Sequence, residues 1–246
     1  MELLAPLLTT KFALAVVATL LGGFTFGFTG FGGSVLMTPL LALLYWPIEG
    51  VILAAFVPAI MGAVGWPGVL PYVRWREVTP LLITGVIAAP IGVFFLVIGD
   101  PGPVRRFMGI TVLVFAVLMM FGWRYRGTRN RGTSVLFGAI SGFLNGYAGL
   151  AGTWLSLYFL SAPEESRVKR ANLYISAMTM SLLTLIPLVV GGYAGRDTWV
   201  RGIALLLPYA LAIQVGVRLF AISSDSSYQR VAIWLLLAIG IYVTFA

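Results

Sequence analysis

The chain has 246 residues, 60% of them hydrophobic and 10% charged, and its mean hydropathy of +0.99 excludes an ordinary soluble domain. Neither cysteine nor histidine occurs, which removes disulfides, thiol catalysis, haem attachment and Cys/His metal sites, so no cofactor is expected. The net charge of +8 comes from Lys and Arg in short segments between apolar runs. There they set membrane topology rather than bind nucleic acid.

Apolar runs at 11–26, 78–98, 104–121 and 231–246 approach or reach the ~20 residues a helix needs to cross ~30 Å of hydrocarbon. They are continuous rather than alternating, so the expected fold is an all-α polytopic helical bundle in the lipid bilayer, not a β-barrel. No basic segment precedes the first run, and Lys11 abuts it without a small-residue cleavage site. The first run is therefore expected to be a retained helix.

In chain order the expected helical segments are 10–28, 32–46, 50–71, 78–98 and 104–122, then 133–148, 152–162, 168–192, 199–220 and 228–246. The list divides into two halves. Gly23, Gly27, Gly30 and Gly33 recur as Gly142, Gly146, Gly149 and Gly152, and Ser34 recurs as Thr153, all at an offset of 119. Further on, Gly92 matches Gly216 and Arg106 matches Arg230 at an offset of 124. Two repeats are expected, 8–122 and 133–246, joined by the basic linker 123–132.

Charge fixes the orientation expected of these segments. If the first two segments of each half form a hairpin that returns to its starting side, eleven Lys and Arg fall on one side and five on the other. Treating each pair as one crossing gives nine against seven. The hairpin arrangement carries the positive-inside bias, whether the pairs cross fully or re-enter. It places the linker in the cytoplasm and both termini in the periplasm of a bacterial inner membrane, and it makes the two halves inverted repeats.

Within each half the helix is broken at the same place. Gly23 and Gly27, like Gly138, Gly142 and Gly146, have the four-residue spacing of close helix packing. That role does not account for Gly30, Gly32 and Gly33, or for Gly149 and Gly152, which crowd before a new apolar run and favour a turn. A broken helix at membrane depth frees backbone N–H groups, and a new helix starting at Ser34 or Thr153 presents the positive end of its dipole, an anion site without a charged side chain. Broken segments at corresponding places in two halves point to a transporter's binding site.

Asn145, Asn172 and Gln214, together with Thr29, add hydrogen-bonding groups inside apolar segments. An amide there needs partners across helices, whereas a lone Ser or Thr commonly bonds back to its own helix. Acids fall at segment ends or loops, which disfavours a cation pump. The candidate substrate-binding set is thus Thr29, Gly30, Gly32, Gly33, Ser34, Asn145, Gly149, Gly152, Thr153, Asn172 and Gln214, with no catalytic or metal-binding residue. Leucine at Gly33 and Gly152 is expected to abolish transport without unfolding.

GFTGFGGSVLMTP at 27–39, its echo GYAGLAGTWLSLY at 146–158, and the segments ANLYISA and IQVGVRL together resemble the sulfite exporter TauE/SafE family of membrane transporters over nearly the whole chain. The first glycine cluster is followed by Pro39, as is usual in that family, while the second carries Ala151 and Tyr158 at the corresponding glycine and proline positions. The resemblance implies export or exchange of small sulfur-containing anions such as sulfite, sulfoacetate or related organosulfonates. Two other readings stay open from the residues alone. A facilitative anion channel would show non-saturating electrogenic flux, and a non-transporting scaffold would show no ligand-dependent stabilisation. A homodimer is compatible with the sequence, though nothing in it requires one.

Overall fold

A computed structural model of the chain describes residues 5–29, 32–63, 66–123, 125, 127, 130–159, 161, 164–222, 237 and 240–245. The described residues hold helices and no strands. They are α1 (Thr10–Thr29), α2 (Gly33–Leu44), α3 (Pro47–Ala63), α4 (Trp66–Val69), α5 (Trp75–Ile98), α6 (Pro101–Met120), α7 (Arg131–Ala148), α8 (Ala151–Phe159), α9 (Ser166–Val190) and α10 (Arg196–Ile222). Five of these, over 10–28, 75–98, 101–120, 167–190 and 196–219, are long and apolar enough to cross a membrane.

Local chemistry sets the starts. The Thr9 hydroxyl accepts from the Phe12 amide at 3.1 Å ahead of α1. Asn130 and Thr133 cap α7 reciprocally, each side chain accepting from the other's amide at 2.9 and 3.0 Å. Pro101 opens α6 where its missing N–H leaves no bond unmade.

One segment departs from expectation. A single helix over 50–71 is not found: α3 stops at Ala63, and the axis from Trp66 onward turns by 69°. The cause is Pro67, whose ring in a continued helix would collide with the carbonyl four residues earlier, that of Ala63. Most of the segment expected at 228–246 lies outside the described residues, although 240–245 is helical and packs through Thr244 against Gly109 of α6.

The most extensive packing joins α5 to α7 and α1 to α10. Both contacts are made through glycines. A Cβ on Gly216 would strike the Phe24 carbonyl, the Phe28 nitrogen (2.8 Å) and the Gly27 carbonyl carbon (3.1 Å). A Cβ on Gly92 would strike the Phe143 carbonyl, the Tyr147 nitrogen (2.8 Å) and the Gly146 carbonyl carbon (3.1 Å). These are the same positions shifted by 119 and 124. In both pairs contact advances in the same direction along each helix, from Gly23 against Tyr209 to Gly27 against Ile213, and from Gly142 against Gly85 to Gly146 against Ala89. The paired helices therefore run parallel.

That direction settles the course of α2. Gly22 of α1 lies against Gly33 and Met37, so α1 and α2 form an antiparallel hairpin. At its far end Tyr45 lies under the Arg201 guanidinium, 4.8 Å from the ring centroid, near the start of α10. Since α10 runs parallel to α1, α2 ends on the side where α1 begins. Arg201 also pairs with Glu49 at the start of α3. Arg105 of α6 donates to the carbonyls of Ala42 (2.8 Å) and Tyr45 (3.0 Å), closing the last turn of α2.

Candidate functional site

Two glycines in the left-handed region make the breaks. Gly32 (φ 80°) is the N-cap of α2 and Gly149 (φ 68°) the C-cap of α7, conformations that cost other residues about 1–2 kcal/mol. The breaks meet across the bundle. The Thr38 hydroxyl of α2 donates to the Gly149 carbonyl at 3.3 Å. A Cβ on Gly152, in the first turn of α8, would stand 3.6 Å from the Gly32 nitrogen and 3.9 Å from Ser34 Oγ.

Between them lies a cavity of about 30 Å³ lined by Phe26 of α1, Gly32, Gly33 and Ser34 at the start of α2, Pro58 of α3, Gly152 of α8, Ala177, Met178 and Ser181 of α9, and Tyr209 of α10. Met178 is the thirteenth of the 25 residues of α9, and Tyr209 the fourteenth of the 27 of α10. The cavity therefore sits at mid-height of two helices long enough to cross the membrane.

Its electrostatics follow from how α2 is finished at each end. The C-terminal carbonyls face Arg105, which offsets the negative end of the dipole. The N-terminal amides receive no side-chain cap from Gly32 and start at the cavity. Among the described residues no carboxylate lines that space. The opposing C-terminal end of α1 meets the Arg170 guanidinium, 3.5 Å from the Gly27 carbonyl. What remains is a pocket lined largely by apolar side chains and glycines, with the first turn of α2 and the side chains of Ser34, Ser181 and Tyr209 as its polar groups.

Of the candidate residues, Gly32, Gly33, Ser34 and Gly152 line this cavity. Gly149 sits behind it against Thr38. The Thr153 hydroxyl donates to the Leu150 carbonyl at 2.7 Å, a bond within its own turn. Asn145 donates to the Met180 carbonyl and the Thr184 hydroxyl, both at 2.7 Å, tying α7 to α9. Asn172 is buried near the end of the bundle and accepts from the Arg74 amide at 2.8 Å. Gln214 is exposed on the outer face of α10. Thr29 is the last residue of α1, with its side chain outside the described set, and Gly30 lies outside the described residues.

Sequence reasoning passed over Phe26, Pro58, Ala177, Met178, Ser181 and Tyr209. Only Tyr209 carried a usable signal, as a hydroxyl at the centre of an apolar run. The acids repeat the pattern: Glu164 lies at a helix end as expected, yet its side chain is 7% exposed and paired with Arg74 at 2.7 Å.

No curated protein and no solved structure matches the chain. The family model described as sulfite exporter TauE/SafE matches residues 15–243, which takes in every helix that builds the cavity. With that match and its five apolar spans, the chain is a multi-pass membrane protein and belongs to the sulfite exporter TauE/SafE family.

Proposed function

We propose that the protein is a secondary transporter that exports a small sulfur-containing anion, sulfite or an organosulfonate such as sulfoacetate, across the bacterial cytoplasmic membrane. The observation that carries this reading is the uncapped N-terminus of α2 opening at mid-height onto a cavity with no carboxylate among its described lining residues. Such a site attracts an anion and repels none of its charge. Gly32, Gly33, Ser34 and Gly152 are among its walls. Amides and hydroxyls without a paired base supply binding but no nucleophile, so the site is read as a carrier site and not as an active site.

The mechanism proposed is alternating access of two inverted halves, 8–122 and 133–246. The swapped glycine contacts at offsets of 119 and 124 support it. The excess of eleven basic residues over five favours a cytoplasmic linker 123–132. In cells, a cysteine replacing exposed Gly195 should then react with an impermeant maleimide, and one replacing exposed Glu165 should not; the reverse pattern contradicts this orientation.

Thermal shift of the detergent-purified protein against sulfite, sulfate, sulfoacetate, taurine, short carboxylates and chloride tests the function. Saturable stabilisation by sulfite or a sulfonate is expected, because a ligand that prefers the folded state raises its stability by mass action. Stabilisation by none of these anions contradicts the reading.

A further inference from the structure

We propose that the Tyr209 hydroxyl is the side-chain donor that binds the transported anion, facing the first turn of α2 across the cavity. The inference rests on the cavity being the substrate site, and it brings in a residue that the glycine breaks do not contain.

Tyr209 is fully buried at the centre of α10. Its hydroxyl has no hydrogen-bond partner among the described residues. Buried hydroxyls are ordinarily paired, and an orphan calls for an explanation in function, bound water or bound ligand. Two other tyrosines obey the rule: Tyr158 shares a bond with the Ser134 hydroxyl at 3.0 Å, and Tyr174 donates to the Gly62 carbonyl at 2.7 Å. Among the described residues Tyr45 is the other buried tyrosine with an orphan hydroxyl, and it lies at the end of the bundle beneath Arg201.

Position gives the orphan its meaning. Tyr209 Oη lies 3.1 Å from where a Cβ on Gly33 would stand, so it faces the uncapped turn directly. An acceptor oxygen held by the α2 amides is then within reach of the phenolic O–H as well. The Ser181 hydroxyl of the same cavity is already committed to the Ala177 carbonyl at 3.1 Å, whereas the Tyr209 proton is not committed. The Phe26 ring, 6.4 Å away centroid to centroid, helps hold the phenol in place. A neutral donor suits this depth, since it binds an anion without a cation being buried beside it.

Tyr209→Phe removes the hydroxyl and keeps the ring. Two quantities are measured: the thermal midpoint without anion, and sulfite affinity from the concentration dependence of stabilisation. The midpoint should stay or rise, because the lost group has no protein partner. Sulfite affinity should fall about tenfold to a hundredfold, the range for a hydrogen bond to a charged group. An affinity within twofold of wild type overturns the assignment, as does a midpoint lowered by many degrees, which would mean that the hydroxyl serves the fold.

Gly152→Val separates the two levels of the claim by filling the cavity from the opposite half. Lost sulfite binding in Gly152→Val with binding intact in Tyr209→Phe sinks the tyrosine and spares the site. Intact binding in both, or no stabilisation of the wild type by sulfite, sulfate, sulfoacetate or taurine, sinks the site and the tyrosine together.

Discussion

At the scale of single residues, glycines of one sequence cluster have different tolerances. A methyl group on Gly152 meets nothing closer than 3.6 Å, ordinary van der Waals contact. On Gly149 it meets Thr38 at 2.7 Å with the backbone in the left-handed region, and on Gly33 it meets the Gly22 carbonyl at 2.8 Å. Leucine at Gly33 therefore attacks the fold rather than testing transport, against the expectation from sequence. Gly149→Ala should lower stability by about 2–4 kcal/mol, strain and overlap together, while Gly152→Ala should leave the midpoint within a few degrees of wild type. Equal midpoints for the two variants would contradict the positions given to these glycines. Spacing alone could not separate them, because tolerance depends on the helix opposite. Amide and hydroxyl direction was equally hidden: Asn145 and Thr153 are polar residues in apolar runs, yet the first ties two helices and the second bonds to its own turn.

At the scale of elements, hydrophobic runs and glycine breaks made the helices legible. Nine expected segments are found with ends within three residues, apart from the Pro67 turn. Pro67 was visible in the sequence, but a run that stays apolar past it reads as one helix. Partners were less legible. Gly92 and Gly216 correspond by offset, yet they do not touch each other; each receives the broken helix of the other half, Gly146 and Gly27 respectively. A small-residue face announces close packing without naming its mate. Gly146→Val, which drives a side chain into the Ala89 carbonyl of α5, should cost about 1–3 kcal/mol and lower the yield of folded protein. Wild-type yield and midpoint would show that α5 and α7 are not pressed together there.

For the whole molecule, the composition was decisive for class and silent on the cavity. A chain 60% hydrophobic with 16 Lys and Arg announces membrane spans and a side preference. Where the breaks at Gly32 and Gly149 meet is a tertiary fact that depends on α7 seating on α5 and α1 on α10. The central claim is that a small sulfur-containing anion crosses through that meeting point. The most direct test is radiolabelled sulfite uptake into proteoliposomes by the wild type and by Gly152→Val, both verified as folded. Saturable uptake in the wild type, reduced at least about tenfold in the variant, is the predicted result. Uptake no greater than in empty liposomes, or equal uptake by the two proteins, would contradict it.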